Sequence, residues 1–213
     1  MKYYLFDFDG TLVDSMPAYV NVILKILDDN NIEYPNDIIK IITPLGFMGT
    51  AKYLKQLGVN LTLEQLEEKM GSYATEAYTY HIPAKNNVVE VVHKLKEQGA
   101  HLNVLTASPH TSLDPCLKRL GIFDLFDNVW SCEDFNTTKT DHGIYKRAAE
   151  IIGAPIGEIL FLDDNYNADK TAKEAGMKVC GVYDETSKDY IDEIKQITHY
   201  YIKDFNELLE IDF

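Results

Sequence analysis

Apolar residues follow two different patterns along the chain, and the pattern changes near residue 84. Tyr3 to Phe8 is a short apolar and aromatic run, which is typical of a strand buried on both faces. From residue 15 to residue 84, apolar residues recur at helical spacing. This stretch predicts about four helices: one that begins at a capping Ser15, and others near 36–43, 47–57 and 63–80.

After Pro83 the pattern alternates between amphipathic helices and short apolar strands. Helices are predicted at 88–98, 113–120, 141–152 and 168–175, and strands at 101–105, 128–132, 158–162 and 178–182. Such alternation is typical of an α/β fold with a parallel sheet flanked by helices. We therefore predict an α/β core made of residues 1–14 and 85–213, with an inserted α-helical cap at 15–84.

Charged and polar residues follow four of the predicted strands. Ligands of open parallel sheets bind beyond the carboxyl ends of the strands. In chain order, the candidates at these ends are Asp7 and Asp9, then Thr106, then Lys139, and finally Asp163 and Asp164. Four carboxylates, one hydroxyl and one ammonium suit a site that binds a hard cation and a phosphate.

The spacing of the acids supports this chemistry. Asp7 and Asp9 are two residues apart, so on an extended backbone they point to the same side and can divide the roles of nucleophile and proton donor. The residues alone do not say which acid attacks. Clustered carboxylates need a cation, and Mg²⁺ prefers such oxygen ligands. Gly10 allows the tight turn that follows.

The same loops offer contacts for a phosphate group. The backbone N–H groups of Phe8, Asp9 and Ala107 can form an anion-binding concavity. The Thr106 hydroxyl can donate to a phosphate oxygen, and the Lys139 ammonium can balance the charge of carboxylate and phosphate together. These residues predict a site for a phosphorylated ligand.

Net charge and cysteine content exclude several classes of partner. The formal net charge is −14, which repels nucleic acids and anionic membranes, so we expect neither as a partner. The three cysteines are widely spaced and form no CxxC pair, which favours a reduced, cytoplasmic protein without a zinc site. The N-terminus reaches an acid at Asp7, so we expect neither a signal peptide nor a membrane anchor.

Four motifs resemble the signatures of the haloacid dehalogenase superfamily. The run from Asp7 to Asp14, DFDGTLVD, is similar to the first signature. Thr106 matches the second, Lys139 the third and the pair Asp163–Asp164 the fourth. The helical insertion after the first strand is similar to the subfamily that contains phosphoglycolate phosphatases and β-phosphoglucomutases. The resemblance covers the whole chain and implies a Rossmann-like sheet.

The resemblance also implies a role for each matching residue. Asp7 becomes the nucleophile and Asp9 the general acid and base, while Thr106 and Lys139 contact phosphate and balance charge. The implied Mg²⁺ ligands are Asp7, the backbone carbonyl of Asp9, and Asp164. Asp163 becomes either a second acidic ligand or an orienting partner.

The chain departs from the family pattern at three places. Many relatives have Gly-Asp where this chain has Asp163–Asp164, and Asp169 fits another spacing of the fourth motif. We rank Asp169 below Asp163, because the pair directly follows the predicted strand. Thr140 stands where many relatives have proline, and Ala107 where asparagine is frequent. These departures affect the choice of substrate more than the chemistry.

The sequence therefore predicts a Mg²⁺-dependent phosphatase that hydrolyses a small phosphorylated metabolite through an aspartyl-phosphate on Asp7, as a monomer or homodimer. A phosphomutase would use the same residues. A dehalogenase would not need the metal, and Asp9 and the acid pair argue against it. A receiver domain would lack the large insertion. A loop at Gly46 to Gly49, with Phe47 at its tip, is the predicted substrate contact in the cap.

Overall fold

The structure, a computed structural model, describes residues 1–42 and 45–213, without the side chains of residues 19, 39, 40 and 46–48. The chain divides into two compact units. One unit contains residues 1–14 and 82–213, and the other contains residues 15–81. The predicted fold class is confirmed, since the first unit is built on a parallel sheet flanked by helices.

Six parallel strands form the sheet of the first unit in the described residues. The strands are β1 Tyr3–Phe6, β2 His101–Thr106, β3 Asn128–Ser131, β4 Ile159–Asp163, β5 Lys178–Val182 and β6 Tyr200–Ile202. Their order across the sheet is β3-β2-β1-β4-β5-β6, and each neighbouring pair is parallel. The chain order reverses at β1, and such a switch point is where ligands of open sheets bind.

The helices divide between the two units. The second unit contains α1 Met16–Asp29, α2 Ile38–Ile42, α3 Gly46–Gln56 and α4 Leu63–Tyr80. The first unit contains α5 Val88–Glu97, α6 His110–Arg119, α7 His142–Ile152, α8 Tyr166–Ala175 and α9 Ile191–Ile197. Short 3₁₀ helices lie at Phe123–Leu125, Cys132–Phe135, Ile156–Glu158, Glu185–Tyr190 and Phe205–Glu210.

The central strands are buried on both faces, as their continuous apolar sequence predicts. Every residue of β4 is buried, and Phe161 lies in a core cluster with residues of α7 and α8. Phe6 of β1 contacts the rings of Phe126 and Phe205. Helices that cover both faces of a parallel sheet remove its apolar strands from water, and they hold the strand ends in fixed positions.

The second unit has its own apolar core, which joins α1, α3 and α4. Thr62 begins α4 with a capping box, in which its hydroxyl accepts from the Gln65 N–H at 3.1 Å. Ser15 precedes α1, but its side chain makes no capping hydrogen bond, so the predicted cap is wrong. Pro17 lies in the first turn of α1, where a missing N–H costs little.

The structure differs from the predicted pattern at several element boundaries. β1 ends at Phe6 rather than Phe8, and α6 begins at His110 rather than Leu113. The additional first turn of α6 is polar, so its sequence carries little periodicity. Helix α9 and strand β6 were not predicted, because elements of seven and three residues are too short to establish a period.

Candidate active site

Asp7 lies directly beyond the carboxyl end of the central strand. Phe6, the last residue of β1, lies beside Val104 of β2 and Leu162 of β4. The Asp7 N–H continues this ladder by donating to the Leu162 carbonyl at 2.8 Å. The backbone that carries the Asp7 carboxyl is therefore held at the carboxyl end of the central strand, where the chain order reverses.

The turn after β1 approaches Asp164 closely. Gly10 has a φ of +74° and its N–H donates to the Val13 carbonyl at 2.9 Å. A Cβ atom at Gly10 would lie 2.6 Å from Asp164 Oδ2. Since real Cβ atoms are not found so close to a carboxylate, only glycine allows both this φ and this approach.

Three carboxylates meet at the ends of β1 and β4. Asp7, Asp163 and Asp164 each offer an oxygen, and these oxygens all lie within 4.8 Å of one another. Asp7 and Asp163 are buried, and Asp164 is partly buried. This is a set of hard oxygen donors of the kind that Mg²⁺ binds.

Lys139 joins two of these acids from the segment that precedes α7. Its ammonium donates to Asp7 Oδ1 and, at 2.8 Å, to Asp163 Oδ2. The Tyr145 hydroxyl of α7 donates to the Lys139 carbonyl at 3.0 Å, which fixes the backbone of this segment. Burial alone would lower the pKa of the Lys139 ammonium, but Asp163 and Asp7 raise it well above its usual range.

Burial and mutual repulsion disfavour the charged forms of the acids. Burial is the main cause that raises the pKa of Asp7 to about 8; Asp163 and Asp9 add to the rise, and Lys139 opposes it. Burial and the charges of Asp163 and Asp7 also raise the pKa of Asp164 well above its usual range. A bound cation would relieve both effects.

The exit of β2 brings the Ser108 hydroxyl to Asp9. Thr106, the last residue of β2, is buried, and its Oγ1 accepts from the Ser108 N–H at 3.1 Å. The Ser108 hydroxyl donates to Asp9 Oδ2 at 2.5 Å. Ser108 was not among the predicted site residues; the available signal was its place in the same exit loop, two residues after Thr106.

Asp169 lies apart from the carboxylate cluster. It is fully buried in the first turn of α8, and its two carboxyl oxygens have no hydrogen-bond partner among residues 1–42 and 45–213. Burial, followed by the charges of Asp163 and Asp164, raises the pKa of Asp169 well above its usual range. It does not belong to the group of acids that can share a cation in the described structure.

The other predicted contacts differ in their surroundings. Phe8 is fully buried, whereas Ala107 is exposed at the end of β2. The backbone of Gly46 to Gly49 forms the first turn of α3, so the predicted loop is wrong there. The Phe47 side chain lies outside the described residues, and the predicted contacts of Gly46 and Phe47 with substrate remain predictions.

Within the described residues, no helix is long and apolar enough to cross a membrane.

Comparison with known proteins gives a family and a shared fold. The family model described as haloacid dehalogenase-like hydrolase matches residues 4–182. The pyrophosphatase PpaX of Bacillus velezensis is 29% identical over 181 residues, which cover 84% of this chain and 81% of that protein.

Two solved structures are similar over nearly the whole chain. A putative β-phosphoglucomutase from Thermotoga maritima has a TM-score of 0.86 at 20% identity and covers 100% of both chains. A predicted phosphoglycolate phosphatase from Haemophilus somnus has a TM-score of 0.84 at 25% identity, and the match covers 99% of this chain and 97% of that one. Both similarities agree with the fold predicted from the sequence.

Proposed function

Because the chain belongs to the haloacid dehalogenase-like hydrolases, we propose that it is a phosphatase that forms an aspartyl-phosphate on Asp7. The observation that carries this proposal is the shared contact of Lys139 with Asp7 and Asp163 at the end of β1. A buried carboxylate held by an ammonium is suited to attack a phosphoryl group, since the ammonium offsets the added negative charge.

The proposed reaction has two steps on this chain. In the first, an Asp7 oxygen attacks phosphorus, the bond from phosphorus to the leaving oxygen breaks, and Asp9 donates its proton to that oxygen. In the second, Asp9 takes a proton from water, which attacks phosphorus and releases phosphate from Asp7. The contact from Ser108 Oγ to Asp9 Oδ2, at 2.5 Å, orients the Asp9 carboxyl for both transfers.

The donor set fits Mg²⁺, with Asp7, the Asp9 carbonyl and Asp164 as the proposed ligands. When bound, the ion supplies positive charge that offsets the phosphoryl oxygens and the clustered carboxylates. Asp163 is the proposed orienting partner, since both of its oxygens are already engaged. Its Oδ1 accepts from the Asn165 N–H at 2.8 Å and its Oδ2 accepts from Lys139 at 2.8 Å.

A small phosphorylated metabolite is the proposed substrate, either a phosphomonoester or a phosphoanhydride. The phosphomonoester follows from the similarity to a predicted phosphoglycolate phosphatase, and the anhydride from the relative named a pyrophosphatase. A phosphomutase of the β-phosphoglucomutase type is the second candidate, since a structure of that name shares the fold. Both candidates use Asp7 in the same way.

The decisive experiment measures free phosphate and isomerised product in parallel, with Mg²⁺ present. The panel contains 2-phosphoglycolate, inorganic pyrophosphate, β-glucose 1-phosphate and p-nitrophenyl phosphate. Free phosphate from at least one compound, without isomerisation, is the expected result. Isomerisation of the sugar phosphate with little free phosphate would favour the mutase, and no turnover of the panel would contradict the proposal.

Mg²⁺ is expected to raise the melting temperature, and more at about pH 8 than at about pH 5. The folded-state pKa of Asp7, about 8, exceeds the ordinary value of 3.8. A raised carboxyl pKa means that stability is lost as pH rises from the unfolded value through the folded one. A cation favours the ionised carboxyl and offsets this loss. At saturating Mg²⁺ we therefore expect the melting temperature to rise by about 5 °C at the higher pH.

Matched variants identify the acids responsible for the thermal shift. Asp164→Asn is expected to remove most of it, because this carboxyl belongs to the cluster. Asp169→Asn should retain more of the shift, and Asp189→Asn, at an exposed position, should retain all of it. An equal shift in Asp164→Asn and wild type would contradict the proposed metal site.

A further inference from the structure

We propose that Lys85 is a positioning residue, which holds the turn after β1 and thereby places Asp9 for proton transfer. The proposal rests on the proposed function, since it concerns the reaction at Asp7. Lys85 lies where the chain returns to the first unit, three residues before α5. No sequence motif selects it, and its importance follows from its contacts alone.

The ammonium of Lys85 donates to three oxygens from two parts of the first unit. The distances from Nζ are 2.6 Å to the Gly10 carbonyl, 2.5 Å to the Tyr183 carbonyl and 3.0 Å to Asp184 Oδ2. An ammonium has three N–H donors and no acceptor, so these contacts use its full capacity. The Lys85 side chain is 18% exposed and that of Asp184 is 5% exposed, which protects the pair from water.

The partner carboxylate is itself fixed. Asp184 Oδ1 accepts from the Thr186 N–H at 2.9 Å and from the Thr186 hydroxyl at 2.6 Å. These contacts begin the 3₁₀ helix Glu185–Tyr190 that follows β5. Lys85 therefore connects the turn after β1 to a rigid point beyond β5, across the end of the sheet.

The turn after β1 needs such an anchor because of its glycine. Position 10 requires glycine, because the backbone there has a φ of +74° and lies close to the Asp164 carboxyl. Glycine also has more backbone freedom than any other residue, so the peptide that follows Asp9 is not fixed by its own sterics. The ammonium holds the Gly10 carbonyl, and the Lys85 N–H donates to the Leu12 carbonyl at 3.0 Å, which fixes the turn at two points.

The position of this turn determines the position of Asp9. Asp9 directly precedes Gly10, and its carboxyl must reach the leaving oxygen, whereas Thr106 and Lys139 lie on other segments. Loss of the Lys85 ammonium should therefore slow turnover while leaving the binding of phosphate nearly unchanged. If Lys85 had only a structural role, its loss would lower the melting temperature without lowering kcat at a nearly constant KM.

The kinetic test compares Lys85→Met with Lys203→Met at saturating Mg²⁺. Lys203 is exposed and lines a surface cavity together with Lys85, so its variant controls for the loss of one positive charge. For Lys85→Met we expect kcat to fall about 10- to 100-fold, as for a small misplacement of a reacting group, with KM changed less than about threefold. Lys203→Met should match wild type in both constants.

Amide hydrogen exchange provides a test that does not depend on activity. The N–H groups of Gly10, Leu12 and Val13 are hydrogen-bonded within the turn. In Lys85→Met they should exchange about tenfold faster than in Lys203→Met, since a hydrogen bond to a charged group is lost. If Lys85→Met does not fold, Lys85→Gln, which keeps two N–H donors, replaces it in both measurements.

Each outcome decides a different claim. Faster exchange together with a lower kcat supports the positioning role. Unchanged exchange overturns it, and so does faster exchange with an unchanged kcat. Absence of phosphatase activity in the wild-type protein would overturn the proposed function, while the exchange rates would still decide whether Lys85 holds the turn.

Discussion

Asp7→Asn is expected to abolish phosphate release, with a loss in kcat of about 10⁴-fold or more. An amide in place of the carboxylate is a far weaker nucleophile, so the aspartyl-phosphate on position 7 should not form. The substitution should leave the fold intact, because burial raises the pKa of Asp7 to about 8 and thus makes its charged form costly. Lys139 keeps its contact with Asp163 at 2.8 Å.

A stability measurement on Asp7→Asn and mass spectrometry of a second variant, Asp9→Asn, test this expectation. Its free energy of unfolding at about pH 8 should equal or exceed that of wild type, since a desolvated carboxylate has been replaced by a neutral group. Mass spectrometry of trapped Asp9→Asn should find one phosphoryl group on Asp7, because that variant stalls before hydrolysis. A phosphorylated His or Ser, or full turnover by Asp7→Asn, would contradict the mechanism.

Strand order explains why the sequence could indicate which residues of the candidate site lie near one another. Asp7, Thr106 and Asp163 lie at the ends of short strands that are mostly apolar, and the carboxyl ends of parallel strands meet at the same edge of a sheet. Once the alternation of strands and helices indicated a parallel sheet, the residues after each strand had to lie near one another. The contact of Lys139 with Asp7 and Asp163 agrees with that expectation.

The remaining parts depended on geometry that the sequence does not contain. Asp163 and Asp169 both fit spacings of the fourth motif, and only the structure places Asp163 in the cluster and Asp169 outside it. Ser108 is one serine among several in exit loops, and its contact with Asp9 depends on how two loops meet. Lys85 makes contacts 75 and 99 residues away in the chain, which no local pattern encodes.

Lys139→Met is expected to affect both stability and activity. The Lys139 side chain is 14% exposed, and its ammonium pairs with Asp7 and Asp163, whose side chains are 7% and 1% exposed. Removing one partner of a buried ion pair leaves charge without compensation, which costs about 3–5 kcal/mol. We expect the free energy of unfolding to fall by about this amount at about pH 8, and kcat to fall about 10²- to 10³-fold because phosphoryl charge is no longer offset.

The pH dependence of the stability loss in Lys139→Met distinguishes an uncompensated buried charge from a simple loss of packing. Lys139 opposes the rise in the pKa of Asp7. Without Lys139, the folded-state pKa of Asp7 therefore moves further above its ordinary value. A carboxyl with a raised folded pKa loses stability as pH rises above the unfolded value of about 4. The difference between Lys139→Met and wild type should therefore be largest at about pH 8 and should shrink toward about pH 5.

Chemical denaturation at both pH values measures this difference, and two variants make it specific. Lys146→Met removes an exposed lysine of α7 and should differ from wild type by less than about 0.5 kcal/mol at either pH. Adding Asp7→Asn to Lys139→Met should restore part of the lost stability, because one uncompensated carboxylate has been removed. A loss that is independent of pH and unaffected by Asp7→Asn would mean that Lys139 supports the fold through its hydrocarbon stem rather than through its charge.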